Sequence, residues 1–111
     1  MKVRARATVV DGIRFPSMME ARVYSRLRLL AKAEGATLFR QVRFPLFNLA
    51  PEEGSLLPHN ISIDFVLVYP DGRRRYIDAK PQRRQAKSRD WKRGKAAFEM
   101  CYQASIEETD K

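Results

Sequence analysis

The chain of 111 residues is poor in cysteine and histidine, with one of each, and it has no long apolar run. Because Cys101 is the only cysteine, no disulfide can form within the chain, and a thiolate zinc site has no second cysteine. A lone thiol is typical of proteins from a reducing compartment. No segment approaches the roughly 18 apolar residues of a membrane span, and no signal-peptide pattern opens the chain. These absences predict a cytoplasmic protein that does not enter a membrane.

The sequence also lacks a P-loop, a GxGxxG motif, an internal repeat and a low-complexity linker. The single histidine, His59, lies beside a predicted loop, where a histidine is more often a surface residue than a catalytic base. Hydrophobic residues make up 44% of the chain and aromatic residues 10%, which is enough for one core of ordinary size. We expect a single domain over residues 1–111, with an extended arm over 1–10 and a frayed tail over 108–111.

Positive charge is what the sequence has in excess, and that charge is concentrated. The net charge is +9, and residues 73–95 contain 11 lysines and arginines against two acids, whereas the rest of the chain is balanced. Such a block predicts a polyanionic partner, and nucleic acid before a membrane surface, since the block lacks an opposing apolar face. A solvated basic face is the alternative. The candidate phosphate-binding residues are Arg83, Arg84, Lys87, Arg89, Lys92, Arg93 and Lys95.

Hydrophobic periodicity predicts an α/β protein. Apolar residues alternate around the turn signal Asp11-Gly12, and Ser17 and Gly35 have the positions of a helix N-cap and C-terminal stop. Pro45 marks an edge, a bulge or a break in a strand. The predicted elements are a β unit over residues 1–16, a helix over 17–33, strands over 37–49, 60–69 and 73–80, a helix over 88–102 and a short strand over 103–106.

The segment Tyr76-Ile77-Asp78-Ala79-Lys80 lies in the second arm of a predicted hairpin. Alternation places Tyr76, Asp78 and Lys80 on one face and the two apolar residues between them on the other. The strand rise of about 3.3 Å per residue sets Asp78 and Lys80 roughly 6–7 Å apart, which predicts no tight ion pair between them. This spacing suits two groups that approach opposite sides of a bound phosphate.

Asp64 lies in the first arm and interrupts a face that is otherwise apolar further along. An unpaired buried charge is strongly destabilising, so Asp64 needs a partner. That partner is either a structural ion pair, with Lys80 or an arginine, or a bound cation shared with Asp78. One predicted face of the strand holds Ile61, Ile63, Phe65, Leu67 and Tyr69, and the other holds Ser62, Asp64, Val66 and Val68.

Glu20 has two interpretations. It lies three residues after Ser17, where it completes a capping box. It also lies at the edge of the core-facing stripe formed with Tyr24, Leu27 and Ala31, from which a carboxylate reaches the sheet. The local sequence leaves both interpretations open.

The order of these residues resembles the PD-(D/E)XK nuclease superfamily, with Glu20 on a first helix, Asp64 on a strand and Asp78-Ala79-Lys80 on the partner strand. The spacing is similar to that of small phage and prophage nucleases, including Holliday-junction resolvases. The segment 11–21 resembles an Asp-Gly-apolar-X-Phe-X-Ser-X-X-Glu entry of one phage nuclease family. The resemblance covers residues 11–107 and departs at Ile63, where the proline of the motif is absent, and at Asp78, which is shorter than glutamate.

The resemblance implies a restriction-endonuclease-like core, a central mixed β-sheet flanked by helices, and a Mg²⁺- or Mn²⁺-dependent DNA endonuclease of a bacterial cytoplasm, phage- or prophage-encoded. It implies metal ligation by Asp64, Asp78, the Ala79 carbonyl and Glu20, and it gives Lys80 the role of orienting or deprotonating the attacking water. Selectivity for branched DNA such as Holliday junctions is a further expectation. The alternatives are a non-catalytic basic nucleic-acid-binding module and an RNA- or ribosome-associated protein.

Symmetric cleavage of a junction needs two sites, and a chain of this length offers one. We therefore expect a homodimer that uses residues 37–49 or the N-terminal extended region. The apolar run Phe44-Pro45-Leu46-Phe47 motivates this expectation, although the same run equally suits a core.

Overall fold

The computed structural model describes residues 7–47, 60–80 and 89–111. The elements in chain order are β1 (Thr8–Val10), β2 (Ile13–Phe15), α1 (Met18–Glu34), β3 (Thr37–Pro45), β4 (Asn60–Val68), β5 (Arg74–Ala79), α2 (Arg89–Tyr102) and β6 (Ile106–Thr109). This order confirms the predicted α/β class. No helix within the described ranges is both long and apolar enough to cross a membrane.

Local signals fix the first half of the chain as the sequence predicts. β1 and β2 pair antiparallel around Asp11 and Gly12, which have φ values of 53° and 75° and so form the tight turn expected of an Asp-Gly pair. Helix α1 begins after Ser17, whose Oγ accepts a hydrogen bond from the Glu20 N–H at 3.1 Å. It ends at Gly35, whose φ of 69° is the left-handed conformation that glycine adopts without strain.

The main sheet has four strands in the order β3-β4-β5-β6. The β3–β4 and β4–β5 pairs are antiparallel and the β5–β6 pair is parallel, so the sheet is mixed as predicted. Pro45 ends β3, which is an edge strand, in agreement with the expectation that this proline marks an edge.

The end of the chain corrects the prediction. The sequence placed the last strand at residues 103–106 and a frayed tail at 108–111, but β6 runs from Ile106 to Thr109. It joins the sheet because it pairs with β5 along its length, and the Lys80 N–H donates to the Thr109 carbonyl at 2.9 Å. Acidic composition alone indicates solvation, but two of these acids, Glu107 and Glu108, have basic partners within the fold.

Two apolar clusters lie on opposite faces of the sheet. One packs α1 against β4 and β5 and includes Phe15, Leu27 and Phe65. The other packs α2 against the sheet and includes Ile63, Tyr76 and Phe98. The second cluster is rich in aromatic contacts, with Phe44 edge-on to Tyr76, Phe98 and Tyr102.

The predicted faces of β4 are wrong in one respect. Ile61 and Ile63 pack in the α2 cluster, whereas Phe65 and Leu67 pack in the α1 cluster, so the alternation reverses across Asp64. The β3 strand reverses at the facing residue, Gln41, which has a left-handed φ of 50°. The two strands reverse together because their register is the same on both sides of this point. The reversal turns polar side chains of both strands toward one place.

Candidate active site

The candidate active site lies where β4 and β5 separate. Their regular pairing ends at Phe65 and Ile77, and the next facing residues are Asp64 and Asp78. The Asp64 N–H donates to Asp78 Oδ1 at 3.0 Å, and the Ala79 N–H donates to Asp64 Oδ2 at 2.9 Å. Each carboxylate therefore replaces a backbone carbonyl of the ladder. Since both are held by the backbone of the opposite strand, their positions are fixed by the sheet.

Asp78 is a buried acid, with 1% of its surface exposed. Burial, followed by the nearby charge of Asp64, raises the pKa of its carboxyl to about 6, and the contacts with the Asp64 N–H and with Lys80 oppose that rise. Its Oδ2 atom is buried, and the one described group against it is the Lys80 ammonium, whose Nζ lies 2.9 Å away. A carboxylate oxygen has a second lone pair, which can bind a metal ion.

This ion pair shows that the expected separation of Asp78 and Lys80 was wrong. The strand rise sets the distance between backbone positions, but the four-carbon side chain of Lys80 bends back over the strand end and closes the gap. Because β5 ends at Ala79, Lys80 lies just beyond the regular ladder. The predicted opposite facing of Ile77 and Tyr76 is confirmed, since they pack in different clusters.

The Lys80 ammonium lies over the ring of Trp91 from α2, 4.2 Å from the ring centre. The Trp91 Nε1–H donates to Glu108 Oε2 at 2.7 Å, and Lys95 Nζ lies 3.5 Å from the same oxygen. The aromatic face supports the cation, and Glu108 fixes the ring that supports it. The acidic end of the chain is thus part of the site's scaffold.

Glu20 lies in the first turn of α1 and is 9% exposed. Burial is the largest cause that raises the pKa of its carboxyl, the charge of Asp64 is the next, and the charge of Arg40 acts in the opposite direction. The Glu20 N–H supplies the cap contact to Ser17, while its Oε1 accepts from Gln41 Nε2 at 3.3 Å. The carboxylate therefore faces the sheet, as the second interpretation of Glu20 requires.

Gln41 joins the carboxylates of α1 and β4. Its Nε2 donates to Asp64 Oδ1 at 3.1 Å as well as to Glu20, and its Oε1 accepts from Ser62 Oγ at 3.4 Å. A non-glycine residue with a φ of 50° within a strand is strained, and such strain concentrates at functional sites. Gln41 holds its amide between two acids that would otherwise repel each other.

The oxygen-rich donor set has the chemistry that Mg²⁺ and Mn²⁺ prefer. Asp64 and Asp78 are neighbours, and the buried Oδ2 atom of Asp78 has the Lys80 ammonium as its one partner among the described residues. Within the parts of the chain that the structure describes, however, no three acidic, histidine or cysteine side chains are close enough to hold one ion. The residues fit a metal held by the two aspartates, with the Gln41 amide standing between that pair and Glu20.

The predicted phosphate-binding residues divide into three groups. Arg83, Arg84 and Lys87 lie outside the described residues, as does His59. Arg89 and Lys92 are exposed at the start of α2, and Arg93 is half-buried. Lys95 differs from these because it faces Glu108, which offsets its charge.

Sequence reasoning missed Arg40, Gln41, Trp91 and Glu108 as site residues. A signal existed for Arg40, since it interrupts the alternating apolar series Leu38, Val42 and Phe44 as Asp64 interrupts the series in β4. No local signal marked Gln41 or Glu108, because their roles depend on which strands become neighbours. No family model, curated protein or solved structure matches this chain.

Proposed function

We propose that the protein is a metal-dependent DNA endonuclease with a restriction-endonuclease-like core. The observation that carries the proposal is the pair of cross-strand hydrogen bonds that hold the two carboxylates where the strands separate. Asp78 accepts from the Asp64 N–H, Asp64 accepts from the Ala79 N–H, and Lys80 lies against Asp78. Two fixed carboxylates and an ammonium at one sheet edge supply ligands for a hard cation and a positive group beside it.

In this proposal Asp64, Asp78 and the Ala79 carbonyl hold Mg²⁺ or Mn²⁺, and Glu20 completes the shell directly or through water. The cation supplies an activated water at neutral pH and neutralises charge that develops on the phosphate. Lys80 orients that water or helps to deprotonate it, and offsets the charge of the phosphate. Trp91 and Glu108 keep the ammonium beside Asp78, because one contacts the cation through its ring and the other holds that ring.

The basic segment of residues 83–95 holds the DNA in this proposal. Arg89 and Lys92 are exposed at the start of α2, the helix that also carries Trp91. Contacts from such residues to phosphates position a duplex without reading its bases. Recognition of branched DNA then depends on shape and on the number of sites in the assembly.

A homodimer remains part of the proposal. Phe44 belongs to the aromatic core, which removes it as an interface residue, but Phe39 and Phe47 are 48% and 46% exposed. Phe39 lies on β3, an edge strand with backbone groups open to pairing. Light scattering on the free protein and on a four-way junction tests this point, and a monomer in both samples would exclude the dimer.

The test of activity uses supercoiled, linear and four-way-junction DNA, each incubated with Mg²⁺, with Mn²⁺ and with EDTA. We expect cleavage with either cation and none with EDTA. An absence of cleavage on all three substrates with both cations would refute the proposal.

A non-catalytic nucleic-acid-binding module is the second candidate. It is favoured by one observation, that Glu20 does not join the two aspartates around a common point within the described residues. A binding module of this kind retains full affinity for DNA in EDTA and cleaves nothing. Competition between RNA and DNA of equal length at fixed salt separates the RNA-associated alternative.

A further inference from the structure

Arg40 lies at the edge of the candidate site, and no acidic side chain among the described residues pairs with it. It lies on β3 beside Gln41, and its guanidinium carbon is 4.8 Å from the centre of the Phe15 ring. Phe15 is fully buried. Stacking on a fixed aromatic face holds the guanidinium in one orientation, because the planar group loses contact with the ring if it turns.

No residue in the described ranges accepts a hydrogen bond from the Arg40 guanidinium. Its Nε is buried and has no hydrogen-bond partner in the described parts of the chain, and no described carboxylate forms an ion pair with its guanidinium. An arginine presents five N–H donors, and a buried donor without a partner is costly enough to require an explanation.

Arg75 is the other half-buried arginine on the strands of this sheet, and it makes two hydrogen bonds with Glu107, at 2.8 and 2.7 Å. Arg43 and Arg74 form no ion pair with a described residue, but both are exposed to water. Arg40 is therefore the one half-buried strand arginine whose guanidinium has no ion pair within the described residues.

Arg40 lies close enough to Glu20 for its charge to act on the Glu20 carboxyl. Its charge acts against the rise in the pKa of the Glu20 carboxyl, so the two groups are near each other without forming an ion pair. Gln41, the next residue along β3, contacts both Glu20 and Asp64. Arg40 therefore adjoins the carboxylates of the site, and Lys80 lies against the third acid, Asp78.

We propose that Arg40 binds the phosphate group on which the site acts. A planar guanidinium that is fixed in direction, and whose donors no described residue accepts, matches two oxygens of a phosphate. Its charge offsets the repulsion between that phosphate and the carboxylates of Glu20, Asp64 and Asp78. This role rests on the proposed function, because that function identifies the bound anion as a nucleic-acid phosphate.

Binding of thymidine 5′-monophosphate in Mg²⁺ tests the role without requiring cleavage. Calorimetry compares the wild type with Arg40→Met, which keeps the stem over Phe15 and removes the charge, and with Arg40→Lys, which keeps the charge and removes the planar fork. Arg43→Met is the matched control, because Arg43 is exposed on the same strand. We expect Arg40→Met to weaken binding by at least about tenfold, the loss typical of a hydrogen bond to a charged group. The affinity of Arg40→Lys should lie between those of the wild type and Arg40→Met, and the affinity of Arg43→Met should stay within about twofold of the wild type.

The outcomes separate this inference from the proposed function. If thymidine monophosphate binds the wild type and Arg40→Met equally, Arg40 serves only as a counter-charge to Glu20, and the inference fails while the nuclease proposal stands. Equal weakening by the Arg40 and Arg43 variants would mean general attraction and would also overturn it. No binding to the wild type overturns the inference as well. Arg40-dependent binding by a protein that cleaves no DNA supports the inference and removes the nuclease. Thermal unfolding of each variant controls for loss of fold.

Discussion

The aspartates at the two ends of the β4–β5 hairpin have pKa values that shift in opposite directions. At the turn end, Asp71 accepts hydrogen bonds from the Arg73 backbone N–H and side chain at 2.9 and 2.7 Å, and these contacts lower the pKa of its carboxyl. At the open end, burial and the charge of Asp64 raise the pKa of the Asp78 carboxyl to about 6. The first acid is stabilised as an anion by its surroundings, and the second is not.

The difference indicates what each end contributes. The turn residues Pro70, Asp71 and Gly72 close a complete ladder, with Tyr69 N–H bonded to the Arg73 carbonyl at 2.8 Å. The open end interrupts the ladder and uses carboxylates in place of carbonyls. A protein gains no stability from a buried acid with a raised pKa at neutral pH. Such an arrangement is retained where function requires it, and that is the reasoning behind the proposed site.

The largest expected loss of DNA cleavage distinguishes Asp78 at the open end from Asp71 at the turn end. Asp78→Asn should reduce DNA cleavage by more than about 100-fold, since even outer-shell partners of a metal contribute 10–100-fold. Asp71→Asn, the matched control at the turn end, should cleave at the wild-type rate. DNA binding by Asp78→Asn should persist or tighten, because a negative charge near phosphate is removed. Equal activity of the two variants would contradict the assignment of the site.

The second-largest expected loss of cleavage concerns Lys80 and Trp91, whose ring contacts the Lys80 ammonium. Lys80→Ala should lower the cleavage rate at saturating DNA by about 100-fold, the lower end for a proton-transfer group, with near-normal DNA affinity. Trp91→Phe keeps an aromatic face under the ammonium but loses the hydrogen bond to Glu108, so its loss should be smaller. Single-turnover rates at saturating DNA measure both. Full rescue of Lys80→Ala by excess DNA would show a binding role instead.

The pH dependence of stability tests the raised pKa directly. Because the folded pKa of Asp78 lies above its ordinary value of 3.8, the folded protein keeps a proton that the unfolded chain has lost between about pH 4 and 6. The Asp78 contribution to the free energy of unfolding is therefore greatest at low pH and is lost as pH rises through about 6. Urea denaturation in EDTA from pH 4 to pH 8 measures it.

Asp71 has the opposite sign, because its lowered pKa gives a contribution that is lost as pH falls. The free energy of unfolding of the wild type minus that of Asp78→Asn removes the contribution of groups such as Asp71, which titrate in both proteins, and leaves the contribution of Asp78. We expect the variant to gain stability relative to the wild type as pH rises from 4 to 8. Parallel pH profiles for the two proteins would show that Asp78 is not perturbed.

The smallest effect concerns two lysines one helical turn apart. Lys92 is exposed, whereas Lys95 is held near Glu108. If Lys92 contacts a phosphate, Lys92→Ala should reduce the salt slope of duplex DNA affinity by about 0.9, and Lys95→Ala should change it less. Fluorescence anisotropy over a salt series measures both slopes. An unchanged slope for Lys92→Ala would assign that lysine to a solvated face and would move phosphate binding to other arginines.

Much of the fold was predictable because the signals are local. The N-cap at Ser17, the stop at Gly35 and the turn at residues 70–72 each depend on a few neighbouring residues, and all three occur as predicted. The order of Glu20, Asp64, Asp78 and Lys80 along predicted elements also led us to expect that their side chains come together. The structure places Asp78 against both Asp64 and Lys80, and the role of these residues in catalysis is a prediction.

The predictions failed where a feature depends on contacts that residue spacing within one strand does not reveal. The reversal of faces at Gln41 and Asp64 requires two strands to change together, and no alternation within either strand reveals it. The final strand was placed too early because its pairing with β5 outweighs its acidic composition. The Asp78–Lys80 contact was excluded from backbone spacing alone, which ignores the reach of a lysine.

The order of the elements and the interruption of β4 at Asp64 can be read from the sequence, because hydrophobic period, caps and turns act over a few residues. The folded chain was needed to show that the Gln41 amide lies between Glu20 and Asp64, that Glu108 supports the ring beside Lys80, and that Arg40 Nε has no hydrogen-bond partner among the described residues. These contacts join elements far apart in the chain. Their existence depends on strand register and side-chain reach, which local sequence does not specify.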